Sequence, residues 1–131
     1  GRRDGASGSL RRAGVADAPC DRVVGATDAS TGQRVVGSAA VMMACEQVGA
    51  AQASLDLAKD YALERYAFGR PIGSFQAIKH KLVDMYVAVE LARSNAYYGA
   101  WALSTGASEL PTAAAVARIS AGDAGWLTAK E

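Results

Sequence analysis

The sequence predicts a mainly α fold, an antiparallel helical bundle of three long helices truncated from a larger bundle, preceded by a short β or irregular segment. Two observations carry the helices: Ala44, Val48, Ala51, Leu55, Ala58 and Ala62 recur at spacings of three and four, and so do Phe75, Ile78, Leu82, Met85, Val89, Ala92, Ala96, Gly99 and Leu103. Such spacing lines one face of an α-helix. A third sets the opening apart, because residues 1–33 hold no aromatic side chain and six glycines.

At 131 residues the chain is long enough for one domain with its own core. A net charge of +1 offers no general attraction to nucleic acid or an anionic membrane, so any affinity for phosphate must come from the local placement of arginines. Cys20 and Cys45 make no disulfide framework and have no metal-ligand spacing, which fits a reducing compartment. The apolar stretch from Val35 to Cys45 is too short and too rich in small residues to cross a membrane. Gly1 stands where a start methionine would, and no hydrophobic segment follows the basic opening, so we expect a piece of a longer protein.

Residues 1–34 divide from 35–131. The first dozen, rich in Gly, Ser and Arg, read as flexible, and Ala13 to Gly25 have room for one or two short strands about Asp17-Ala18-Pro19. From about Val36 the texture turns helical, with a small-residue face and a wetter side at Lys59, Asp60 and Glu64. Gly69 is expected to end this helix and Pro71 to prevent its continuation. Ser74 is the expected N-cap of the second helix, a rod of roughly 45 Å ending at Gly106. Val83, Tyr86, Val87 and Leu91 form a second stripe, so this helix should touch more than one partner. Pro111 suits the first turn of a third helix, with Ser108 as cap, and the helical pattern continues to Glu131.

Between the first two helices lies an elbow, Arg65 to Gln76, with more chemistry than a connector needs. Arg65 has two readings: a helix-terminal cation satisfying carbonyls or pairing with Glu64 or Asp60, or a guanidinium reaching across the turn to a phosphate near the amides of the next helix. Phe68 and Phe75 can staple the helices or place a ring against a ligand, and Gln76 can donate and accept at once. His80, between Lys79 and Lys81, has no ligand partner and reads as solvated; Glu90 and Arg93 read as a helical pair. Asp84, among apolar neighbours, reads as a buried carboxylate, while Tyr97, Tyr98 and Trp101 sit at core or interface spacing. No catalytic triad, phosphate loop or metal pattern is present, so no catalytic or metal residue is assigned.

The run Tyr61-Ala62-Leu63-Glu64-Arg65, then Phe68-Gly69-Arg70-Pro71-Ile72, Phe75-Gln76, Leu82-Val83-Asp84-Met85 and Val89-Glu90-Leu91-Ala92-Arg93 resembles the C-terminal helical domain of the acyl-CoA dehydrogenases. Thr112 to Asp123 looks like that domain's third helix, and residues 13–25 look like the last strands of the preceding β-domain. The resemblance covers roughly residues 35–131 in the same order and spacing.

That resemblance implies FAD as cofactor, with Arg65 on its pyrophosphate and Phe68, Phe75 and Gln76 as further contacts, presented to a neighbouring protomer of a homo-oligomer, a tetramer in the family. It implies an acyl-CoA substrate, an electron-transfer acceptor, a place in fatty acid metabolism, and a cytoplasmic location (the mitochondrial matrix in a eukaryote). The implied reaction removes two hydrogens from the α and β carbons of the thioester, a glutamate taking the α proton. Its usual glutamate lies beyond Glu131, and where some members carry the base on the first helix this chain has Ala39 and Ala40. The alternatives are a non-catalytic helical subunit of a mixed oligomer and a related flavin oxidase or monooxygenase.

Overall fold

A computed structural model describes residues 28–131. The strands expected between Ala13 and Gly25, and Cys20, lie outside the described residues. Three helices form the bundle: α1 (Ala29–Glu64), α2 (Gln76–Thr105) and α3 (Leu110–Lys130). Between α1 and α2 stand two short strands, β1 (Tyr66–Ala67) and β2 (Arg70–Pro71), and a 3-10 turn over Ile72–Ser74. Gln52 of α1 meets Arg93 of α2, and Gln47 of α1 meets Arg118 of α3. Lys81, near the start of α2, meets Glu131 just past α3. These pairings run α2 antiparallel to both neighbours, as short connections require.

Helix α1 starts earlier than the change of texture at Val36. Asp28 is its N-cap: Oδ1 accepts from the Thr31 amide at 2.8 Å and Oδ2 from the Ser30 hydroxyl at 2.9 Å. Helix α2 ends at Gly106, which takes φ 64°, and the Ala107 amide reaches back to the Ala102 carbonyl at 3.0 Å. That bond across a left-handed residue closes the helix in a Schellman motif. Pro111 lies in the first turn of α3, but the residue before that helix is Glu109, and no side chain caps it. Ser108 instead donates to Glu109 Oε2 at 3.3 Å.

The core is built from small side chains. Ala44, Val48, Ala51 and Leu55 of α1 pack with Met85, Val89, Ala92 and Ala96 of α2 and with Ala117, Ala121 and Ala124 of α3. A second cluster, Val41, Ala102, Leu110, Ala113 and Ala114, fills the other end. Met85 and Val89 are the largest fully buried side chains among the described residues. Gly99 lets α2 approach closely: a Cβ there would stand 3.2 Å from Val41 Cγ2 and 3.4 Å from Ala117 Cβ.

Large apolar groups lie outside instead. Val116, Ile119 and Trp126 of α3 are exposed, as are Val83, Tyr86, Val87 and Leu91 of α2. Asp84 shares that exposed side, so it is not the buried carboxylate its neighbours suggested. Tyr98 and Trp101 stack with centroids 5.7 Å apart on the outer surface of α2. Among the described residues, no helix is long and apolar enough to cross a membrane.

Candidate functional site

The elbow is a hairpin. Helix α1 stops at Glu64, and Arg65 turns extended (φ −78°, ψ 123°) while its amide still donates to the Tyr61 carbonyl at 2.9 Å. Tyr66 then pairs with Pro71, and Ala67 with Arg70, in an antiparallel register. The loop between them is Phe68-Gly69, and both residues have positive φ, 54° and 77°. Positive φ at both central positions marks the type I′ turn, whose twist suits a two-residue hairpin. Gly69 therefore reverses the hairpin rather than ending α1.

Phe68 is the sole non-glycine at positive φ among the described residues. A left-handed conformation costs a bulky residue of order 1–3 kcal/mol. Its ring is also 95% exposed, so burial within the chain does not offset that cost. Backbone strain of this kind clusters at functional positions, which marks Phe68 as a candidate.

The 3-10 turn brings the chain back to α2. The Ile72 amide donates to the Arg65 carbonyl at 2.8 Å, and the Phe75 amide to the Ile72 carbonyl at 3.1 Å. Ser74 does not cap α2: its hydroxyl donates to the Pro71 carbonyl at 2.7 Å, and Phe75 takes the N-cap position without any side-chain hydrogen bond. The leading amides of α2 are thus left uncapped beside the hairpin, a geometry that favours an anion.

Four residues predicted for the site lie on this elbow. Phe68 and Phe75 meet edge to face, centroids 6.2 Å apart and planes at 83°. Arg65 is exposed and, among the described residues, has no carboxylate partner: Asp60 pairs with Lys59 instead, at 3.6 Å. Gln76 lies with Nε2 3.4 Å from the His80 ring, on the exposed side of α2. His80 is exposed as expected, and Glu90 pairs with Arg93 at 2.9 Å.

One feature escaped the sequence. The Arg70 guanidinium sits over the Phe75 ring, 4.0 Å from its centroid, and has no carboxylate partner among the described residues. The two residues are five apart, and only the 3-10 turn folds them together.

Arg65 to Gln76 include no carboxylate, histidine or cysteine; the titratable side chains there are Arg65, Arg70 and the Tyr66 phenol. Two guanidiniums and uncapped amides suit phosphate oxygens, and two rings suit a flat partner. Among the described residues, no group of three or more His, Cys, Asp or Glu could hold a metal.

A family model described as "Acyl-CoA dehydrogenase, C-terminal domain" matches residues 31–131. The acyl-CoA dehydrogenase IpdE2 of Mycobacterium tuberculosis is 43% identical over 90 residues, 69% of this chain and 26% of that protein. The 3-sulfinopropanoyl-CoA desulfinase of Paraburkholderia xenovorans is 42% identical over 102 residues, 76% of this chain and 24% of that one. A solved structure, a variant of the Tcur3481-Tcur3483 steroid ACAD, superposes with a TM-score of 0.70 at 33% identity, over 73% of this chain and 26% of that one. The chain spans about a quarter of the length of these two curated relatives.

Proposed function

This chain belongs to the acyl-CoA dehydrogenase family, and on that premise we propose that it is part of a FAD-dependent enzyme oxidising the α,β carbon–carbon bond of an acyl-CoA thioester. The observation that carries the reading is the elbow: Arg65 without a carboxylate partner among the described residues, beside a Phe68 ring held outward at positive φ. These residues fit FAD, which presents a diphosphate and two flat ring systems. Arg65 would hold the diphosphate, with Phe68, Phe75 and Gln76 against the cofactor. Bound FAD supplies the hydride acceptor. This chain contributes binding and orientation, and the proton-abstracting base comes from elsewhere in the protein, since Ala39 and Ala40 of α1 cannot serve.

The exposed apolar sides of α2 and α3 would pack against neighbouring copies, so the elbow would serve a site shared between protomers. A second reading is a helical subunit that completes a partner chain's site. It is favoured by the solved relative, whose designation joins two names, Tcur3481 and Tcur3483.

The test is made on the full-length protein. It is expected to purify yellow, to reduce an artificial acceptor when given an acyl-CoA, and to lose FAD affinity by about tenfold or more in Arg65→Ala, the scale of a charge-assisted hydrogen bond. FAD retention unaffected by Arg65→Ala overturns the reading. A protein colourless alone and yellow only with a partner chain selects the second one.

A further inference from the structure

We infer that Arg70 is a positioning residue for the cofactor site: its guanidinium, stacked on Phe75, fixes that ring and through it the outward Phe68. The inference rests on the reading of the elbow as an FAD contact. Arg70 covers one face of Phe75 at 4.0 Å, and Phe68 meets the same ring edge to face at 6.2 Å. Both contacts converge on Phe75, which is half-buried, while Arg70 and Phe68 are exposed on either side of it in contact order.

Arg70 has the Phe75 ring as its partner and no ion pair among the described residues. Phe75 is the N-cap of α2, and a cation beside a helix N-terminus meets the positive end of the dipole. No carboxylate among the described residues draws Arg70 there. What holds it are the β2 backbone, paired to β1 through Ala67, and the face of the Phe75 ring. A guanidinium spread flat on a ring also has less freedom to serve as a phosphate ligand, which leaves that role to Arg65. Phe68 needs such a backstop, because its left-handed backbone and solvent exposure provide none.

The experiment titrates FAD into the deflavinated full-length protein, following flavin fluorescence at several salt concentrations. Arg70→Met is expected to weaken FAD binding about three- to fivefold, the scale of one exposed cation–π contact. In a Phe75→Leu background the same change has no further effect, and the salt dependence of affinity stays that of the unaltered protein. Arg70→Lys, which keeps the charge and guards against a folding defect, lies between, because an ammonium lacks the planar face.

Three results overturn the inference. The first is an Arg70→Met protein with unchanged FAD affinity while Arg65→Ala is impaired. The second is a loss that persists undiminished in the Phe75→Leu background with a shallower salt dependence, which makes Arg70 a direct phosphate ligand. The third is full retention of affinity by Arg70→Lys. If Arg65→Ala is also silent, the FAD reading falls with it.

Discussion

Gly73 packs against the main-chain carbonyl of Ala62 so closely that a Cβ at position 73 would lie 2.9 Å from that oxygen and 3.3 Å from its carbon. The contact seats the 3-10 turn on the last full turn of α1 and so sets the height at which the hairpin stands. Backbone atoms cannot rotate aside as a side chain would. Gly73→Ala is therefore expected to destabilise the helical domain by about 1–3 kcal/mol and to weaken FAD binding by displacing the elbow. Gly49→Ala is the control: nothing lies within 4 Å of a Cβ there, and the helix interior should gain up to about 1 kcal/mol. Thermal melts of the two full-length variants check this; equal midpoints would show that the close approach has no consequence.

Phe68→Asn separates stability from binding. It creates Asn-Gly, the pair that type I′ turns favour, and removes a bulky residue from positive φ. Stability should rise by about 1 kcal/mol, less the edge contact with Phe75, while FAD affinity falls. A variant that melts lower and binds FAD as before would refute the assignment of Phe68 as a strained ligand contact.

Core and outer apolar groups should respond differently. Met85→Ala empties one of the largest fully buried sites and is expected to cost about 2–5 kcal/mol. Ile119→Ser and Trp126→Ser, on exposed positions of α3, should stay within about 0.5 kcal/mol of the parent, yet shift the protein toward smaller species in sedimentation. An unaltered protein that sediments as a monomer at all concentrations would remove the packing role of that face.

The start of α1 carries a pH dependence. Hydrogen bonds from Thr31, side chain first and then backbone, and from Ser30 lower the Asp28 carboxyl below its ordinary value. A lowered folded-state pKa means stabilisation present in full above the ordinary aspartate value, about 3.9, and lost as pH falls below it through the lowered one. Protection of the amides in the first turns of α1, taken relative to their intrinsic exchange rates, should fall over that acid range. Asp28→Asn, which can still cap, should abolish the pH dependence without fraying the helix at neutral pH, whereas Asp28→Ala frays it throughout. Protection in Asp28→Asn that still falls with acidity would assign the effect to another group.

The bundle could be read from the sequence wherever burial imposed the helical period. Met85, Val89, Ala92 and Ala96 lie in the core because spacing alone put them on one face. The caps were less visible. Ser74 has the right side chain, but the chain enters α2 one residue later, through Phe75, and the hydroxyl turns back to Pro71. Asp28 was hidden by the Ser, Thr and Gly around it, weak helix formers that tertiary packing overrides. Strands of two residues are too short to show alternation, so the hairpin could be found only from Phe-Gly standing between Ala67 and Arg70. The placement of Arg65, Phe68, Phe75 and Gln76 on one elbow followed from order along the chain. The Arg70–Phe75 stack did not, because it depends on how the 3-10 turn curls.

The seams of this bundle are filled with methyl groups, and both indoles stand on its outer walls, Trp101 at 52% and Trp126 at 72% exposure. Intrinsic emission therefore acts as a gauge of whatever shields those walls rather than of chain collapse. A blue shift on concentrating the protein would record docking, and red emission at every concentration would record walls that stay bare. The same two chromophores, one on α2 and one on α3, let each wall be followed separately once the other is replaced by phenylalanine.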